Sequence, residues 1–176
     1  MRVIGTVSND AKADQARANG CTHVINSTTQ DVTTIVRELT DGAGVRVVYD
    51  GVGQDTTDIS MDCLGRRGLL VCLGTASGPV RPIAPPELVK RGSLYVTRPA
   101  LADYIVNPAE RAELVRELFD HVAHGRINVE INQRYRLTDA ADAHRDLEGR
   151  RTTGSSIFTV DGDPATDLRG LLDSRD

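Results

Sequence analysis

Val45-Arg-Val-Val-Tyr-Asp-Gly-Val-Gly53 reads as a strand, Val45 to Tyr49, that runs into a tight turn at Asp50-Gly51. A β-branched and aromatic run bounded by glycines is a strand signal. The run barely alternates, so both faces are expected to be covered, as in a parallel sheet with helices on either side. Ligands of such sheets sit at the carboxyl ends of the strands. Gly51 and Gly53 fall at that end. A missing Cβ there either lets another molecule reach the backbone or serves only to make the turn.

The rest of the chain extends this pattern in both directions. A strand is expected over Arg2 to Val7, then a helix capped by Asn9 or Asp10 and ended by Gly20. His23 to Asn26 is a short strand. Asp31 caps a helix with Val32, Ile35, Val36 and Leu39 on one face. After the Val45 strand come a helix near Thr57 to Leu64, with Ile59, Cys63 and Leu64 inward, and an apolar strand over Gly68 to Gly74. The proline-rich stretch from Thr75 to Pro86 excludes both helix and central strand. A helical turn at Glu87 to Arg91 and a strand over Ser93 to Thr97 follow. Asn107-Pro-Ala-Glu110 is a helix start. Its helix runs to His124, with Leu114, Val115, Leu118, Phe119 and Val122 as core. Strands at Ile127 to Ile131 and Tyr135 to Leu137, a helix capped by Thr138, and a strand over Ser155 to Val160 complete the set. Alternating strand and helix with short connections is the doubly wound α/β pattern.

Composition narrows the function. A net charge of −4 gives no field favouring nucleic acid or an anionic membrane. No apolar run approaches the ~18 residues of a membrane span. Cys21, Cys63 and Cys72 are odd in number and far apart, so they form neither a zinc motif nor a disulfide framework. Cys63 and Cys72 read as core, and a cytoplasmic location is expected. His23, His121, His124 and His144 have no motif partners.

Several motifs together resemble one family. They are Gly5-Thr-Val7 with Lys12, His23-Val-Ile-Asn26, Leu39-Thr-x-Gly-x-Gly-Val45, Val47-Val-Tyr-Asp-x-Val-Gly53, Gly68 with Gly74 and Ser77-Gly78, Gly92-Ser-Leu-Tyr-Val-Thr-Arg-Pro99, Ala143-His144 and Thr153-Gly-Ser155. From about Arg2 to Phe158 the chain resembles the zinc-independent NADPH:quinone oxidoreductases of the zeta-crystallin type, in the medium-chain dehydrogenase/reductase superfamily. The Ser-Leu-Tyr-Val-Thr-Arg-Pro run is the specific part. Family members are longer. They begin with a GroES-like catalytic domain, then a first Rossmann strand and a glycine-rich phosphate loop. The resemblance therefore implies a Rossmann-type doubly wound parallel sheet lacking its first strand and glycine-rich loop, plus a C-terminal return segment. Residues 1–125 are expected as a partial NADP-binding domain, 126–160 as the return segment of the catalytic domain, and 161–176 as a polar tail.

The resemblance implies NADPH as cofactor and a quinone or other small electrophile as substrate. A basic or small polar residue after a strand suits the 2′-phosphate of NADP. Ser8 and Lys12 stand there, and Asp10 reads as a cap. Ser27 stands where relatives carry a larger residue near the adenosine. Gln54, Leu73, Gly74, Thr75, Thr97, Arg98 and Arg150 occupy positions near the cofactor in the family. The cofactor carries the reactivity, so the protein's task is to orient it. Neither a catalytic residue nor a metal ligand stands out. Two other readings stay open: an enoyl reductase of the same superfamily, as in a polyketide synthase module, and a non-catalytic binding or dimerisation module. The chain alone is expected to be a poor enzyme. Ser93 to Thr97 resembles the family's outer strand, which implies a homodimer formed through residues 93–97.

Overall fold

In the computed structural model, which describes residues 2–149 and 151–160, strands and helices alternate from the start. Strand β1 (Ile4–Val7) is followed by α1 (Asp10–Ala18), β2 (His23–Asn26), α2 (Val32–Leu39), β3 (Val45–Asp50), α3 (Thr57–Cys63), β4 (Leu64–Cys72), α4 (Pro85–Lys90) and β5 (Tyr95–Thr97). A short helix α5 (Leu101–Tyr104), not anticipated from sequence, precedes α6 (Pro108–Ala123). Strand β6 (Ile131–Arg136), a 3-10 turn at Leu137–Asp139, α7 (Ala140–Glu148) and β7 (Ser155–Thr159) complete the described elements.

Every pairing among these strands is parallel. β1 pairs with β2, β3–β4–β5 form a three-stranded sheet in that order, and β6 pairs with β7. The chain divides into two compact units between Val106 and Asn107. Sequence reasoning places a boundary after residue 125 instead, so α6 falls in the C-terminal unit.

Local chemistry explains the helix starts. Asn9 Oδ1 accepts from the Lys12 amide at 2.9 Å, and Asp31 Oδ1 from the Thr34 amide at 2.6 Å. Asn107 Oδ1 accepts from the Ala109 amide, with Pro108 at the first helical position. Each bond satisfies an amide that has no partner within its helix. Thr138 does not cap α7; Asp139 takes the cap position without a side-chain cap bond, because Leu137–Asp139 is already a 3-10 turn.

The N-terminal unit has two apolar clusters. Met61, Leu64, Leu70, Cys72 and Leu94 are buried together, with Val80, Ile83 and Leu88 against them. The proline-rich loop is thus tied to the core by Val80 and Ile83. Ile25, Val36 and Cys63 form the second cluster, which Ile4, Val32, Ile35, Val45 and Val48 approach. Burying a side chain of this size stabilises by about 1.5–3 kcal/mol. Cys63 and Cys72 are core residues, as expected, and burial raises both thiols above their ordinary pKa.

Several burial expectations are overturned. Val47 is 40% exposed and Tyr49 72%, so one face of β3 is open rather than covered. Ile59 is exposed, and so are Leu114, Val115, Leu118 and Phe119, while Val122 is only partly buried. Helical periodicity marks the face a helix would bury. It does not supply the layer that covers it. Residues 127–130 are not strand, because β7 offers partners only to Ile131–Arg136. The expected tail, 161–176, lies outside the described residues.

Candidate cofactor site

The expected site residues fall into two groups, each at the carboxyl end of a parallel sheet. The first lies after β1 and β2. Ser8 follows the last residue of β1, and Lys12 sits in the first turn of α1. Ser27 follows β2 and closes on the same point: its amide and its hydroxyl both donate to the Val7 carbonyl, at 2.9 and 3.1 Å. The Ser27 hydroxyl is therefore already engaged. The Thr28 hydroxyl donates to Asn26 Oδ1 at 2.7 Å and lies 3.4 Å from the Ser8 carbonyl oxygen. Asp10, the nearest acid, accepts from Asn26 Nδ2 at 2.9 Å. That bond ties one oxygen of the carboxylate to the β2 end. The Ser8 hydroxyl and the Lys12 ammonium make no side-chain bond among the described residues. A small polar residue and a cation, each without a side-chain bond among the described residues, thus follow the carboxyl end of β1.

The second group surrounds the turn after β3. Asp50 is 5% exposed and organises it. Its Oδ1 accepts from the amides of Val52 and Gly53, at 2.9 and 3.0 Å, and from Thr56 Oγ1 at 2.8 Å. Its Oδ2 accepts from Ser60 Oγ at 2.7 Å. Its carbonyl accepts from the amides of Leu73 and Gly74, at 2.7 and 3.2 Å. Burial alone would raise the Asp50 pKa. The bonds from Ser60, the Gly53 and Val52 amides and Thr56 outweigh it and hold the carboxyl below its ordinary 3.8. One side chain thereby joins the end of β3, the turn and the start of α3, and its backbone takes in β4. Sequence reasoning saw only a turn residue in Asp50. The available signal was an aspartate before Gly-x-Gly with hydroxyls six and ten residues on.

Two glycines here, Gly53 and Gly74, face the chain's own backbone, while Gly51 has open space at its Cβ position. A Cβ on Gly74 would lie 2.0 Å from the Gly51 carbonyl oxygen. Gly53 has φ of 97°, and a Cβ there would lie 2.4 Å from the Gly78 carbonyl oxygen. Gln54 donates its amide to that same Gly78 carbonyl at 3.2 Å. Thr97 pairs in register with Val71. Arg98, one residue beyond β5, donates from Nη1 to the Cys72 carbonyl at 3.0 Å. The structure thus brings Gln54, Leu73, Gly74, Thr75, Thr97 and Arg98 to one edge of the sheet. It also gives Arg98 a structural task at the end of β4. Arg150 lies outside the described residues.

A broad groove at the opposite, amino-terminal end of the same sheet is lined by Arg37, Arg46, Arg66, Arg67, Lys90 and Arg91 without a carboxylate. It lies apart from both groups. No cluster of His, Cys, Asp or Glu among the described residues suits a metal ion, and no described helix is long and apolar enough to cross a membrane.

Parallel strands, connecting helices, and polar groups gathered at the strands' carboxyl ends define a Rossmann-type dinucleotide-binding region. The sequence model of the zinc-binding dehydrogenases matches residues 19–157, and the chain belongs to that family. It is 47% identical over 158 residues to a quinone oxidoreductase of Pseudomonas aeruginosa, which covers 90% of this chain and 49% of that protein. It is equally identical, over 157 residues, to a 2-haloacrylate reductase of a Burkholderia species, covering 89% of this chain and 47% of that one. Among solved structures, the Escherichia coli quinone oxidoreductase complexed with NADPH superposes with a TM-score of 0.84 at 46% identity, over 89% of this chain and 49% of the other. The chain spans about half the length of the relatives it matches.

Proposed function

We propose that this chain is the NADPH-binding part of a zinc-independent quinone oxidoreductase. The observation that carries this reading is the pair Ser8 and Lys12, without side-chain bonds among the described residues at the end of β1, where Asp10 accepts from Asn26 and Asp14 pairs with Arg17. The likeness to an NADPH complex at 46% identity supports it. Lys12 and Ser8 would hold the 2′-phosphate by a charge-assisted contact. The edge built from Gln54, Leu73, Gly74, Thr75, Thr97 and Arg98 would orient the nicotinamide end. When bound, NADPH supplies a hydride. The residues of this chain then bind and position, which is where orientation contributes most to rate. Residues 126–160 are read as the return segment of the catalytic domain, and the three free thiols fit a reducing cytoplasm.

Lys12→Ala tests the reading. By calorimetric titration, NADPH binding should weaken about tenfold to a hundredfold, the equivalent of ~1.5–3 kcal/mol, with NADH binding unchanged. Equal loss for both cofactors would remove Lys12 from phosphate recognition. A second substrate reading, reduction of an electron-poor carbon–carbon double bond, is favoured by the equal identity to the 2-haloacrylate reductase. Steady-state assays with a quinone and a haloacrylate separate the two.

The outer strand supports a homodimer. β5 is hydrogen-bonded only to β4 among the described strands, and Tyr95 and Val96 are 60% and 36% exposed. An uncharged free edge invites pairing, and a two-fold axis through it closes the assembly. Light scattering should give a dimer that Val96→Pro converts to monomer, since proline removes a ladder donor. A monomeric parent protein, or a dimer untouched by the substitution, would exclude residues 93–97 as the interface.

A further inference from the structure

Strand β4 does not run straight beside β3. Val45 pairs with Leu64 and Val47 with Leu69, so Arg46 alone faces the four residues Gly65-Arg-Arg-Gly68. The extra residues loop out as a bulge, a device that re-aims side chains. This bulge is held firmly. The Arg67 amide donates to the Gly92 carbonyl at 2.8 Å. The missing Cβ of Gly92 leaves room for the stem of Arg66, since a Cβ there would lie 3.1 Å from Arg66 Cγ. A Cβ on Gly44 would lie 2.6 Å from the Gly65 nitrogen, and one on Gly65 would lie 2.4 Å from the Ala43 carbonyl oxygen, so the loop before β3 packs backbone to backbone against the bulge. Arg67 takes φ of 55°, in the left-handed region. Glycine suits that conformation and arginine does not, although glycine stands at both ends of the same turn.

The charges gathered here are not cancelled. Arg46, Arg66, Arg67 and Lys90 line one groove and make no ion pair or side-chain hydrogen bond among the described residues. Arg37 donates to the carbonyls of Gly42, Asp62 and Leu64, which engage its guanidinium without neutralising it. Of the six cations lining the groove, Arg91 alone is paired, with Asp58, Asp62 and Glu87. Like charges facing one another across a strand pair destabilise it. The left-handed arginine adds backbone strain at the same place. Both costs arise in a chain whose net charge is −4, so general basicity does not explain them.

We propose that this groove binds a small oligophosphate, its chain lying across Arg46, Arg66, Arg67 and Lys90. Guanidinium forks pair with phosphoryl oxygens two at a time. Five unneutralised cations match an anion of several charges, and the groove, at about 1170 Å³, is larger than one phosphate fills. Tyr95, 60% exposed, lines the same groove and offers a ring against which a base at the end of the phosphate chain can stack. The groove shares no residue with the candidate cofactor site and lies at the other end of the strands.

Calorimetric titration of the 176-residue protein with inorganic tripolyphosphate, at about 150 mM salt to screen loose surface attraction, is the test. One-to-one binding is expected. Arg46→Gln and Arg66→Gln should each weaken it about tenfold. Arg67→Gly should weaken it as much, yet melt no lower than the parent without ligand, because glycine accepts the left-handed backbone and removes a repelling charge. A lower melting temperature with unchanged affinity in Arg67→Gly would make the arginine structural and overturn the proposal. ATP serves as the second probe. Tighter binding than tripolyphosphate, with the gain lost in Tyr95→Ala, would support a nucleoside triphosphate as occupant; equal binding of the two would support the inorganic chain. Absence of binding would overturn the proposal. So would equal affinity for sulfate or citrate, which would mean a counterion surface only, or loss of binding in Lys12→Ala, which would place the anion at the candidate cofactor site.

Discussion

Asp50→Ala is expected to lower stability by about 3 kcal/mol or more, read as a fall in melting temperature on the order of 10 °C. The substitution removes the acceptor of the Val52 and Gly53 amides and of the Thr56 and Ser60 hydroxyls in one step. Asp50 is nearly inaccessible, so water does not simply replace it. A buried donor left unpaired costs more than its bond contributed, which makes this loss larger than that of Ser60→Ala or Thr56→Ala, each of which deletes one partner. Asp50→Asn should fall between, because its amide oxygen still accepts from both backbone groups. The carboxyl also ties stability to pH. Its folded pKa lies below 3.8, so its contribution is complete above pH 3.8 and is lost as pH falls from there through the folded value. The parent protein should therefore lose stability in that acid window, and Asp50→Asn should flatten the loss. Urea titrations at pH 7 and pH 3 decide it. An alanine variant as stable as the parent would show that the network does not hold the turn together.

How much of this was legible in the sequence divides by the range of the interaction. The caps at Asn9, Asp31 and Asn107 are local, and the residues that make them lie within three positions of one another. The strand at Val45 was legible from its β-branched run, and the parallel arrangement from the strand–helix alternation. The cover over that strand was not. Tyr49 and Val47 look the same in sequence whether or not a layer lies on them, and here their face is open. The α6 stripe from Leu114 to Phe119 misleads for the same reason. At the candidate site, the place of Ser8 and Lys12 after β1 was legible because the strand and its following helix cap are local. The engagement of Ser27 with Val7 was not, since that bond joins residues 20 positions apart. Nor was the second role of Arg98, whose acceptor Cys72 lies on a neighbouring strand. Gly51 and Gly53 raised the question of what approaches the backbone. Only the fold answers that the chain's own loops do so at Gly53 and at the facing Gly74, and that the Cβ position of Gly51 stays open.

That answer makes two glycines of one loop system behave oppositely toward alanine. At Gly74 the added Cβ would sit 2.0 Å from the Gly51 oxygen, 2.6 Å from its carbonyl carbon and 2.9 Å from its Cα. All three are backbone atoms and cannot swing aside as the end of a side chain would. The chain must open where β3 and β4 end, at the Asp50–Cys72 pair, and strain the amides of Leu73 and Gly74 that donate to the Asp50 carbonyl. Overpacking of this kind costs about 1–3 kcal/mol, and this site belongs at the upper end because backbone meets backbone. Gly51 has open space around its Cβ position and is not among the glycines of positive φ. Gly51→Ala should therefore change stability by no more than about 0.5 kcal/mol. The same contrast should appear in NADPH titrations: Gly74→Ala displaces an edge proposed to orient the nicotinamide, while Gly51→Ala leaves that edge in place. Thermal melts of the two variants side by side provide the measurement. Equal tolerance of alanine at both positions would mean that the close approach of Gly51 to Gly74 does not constrain the turn.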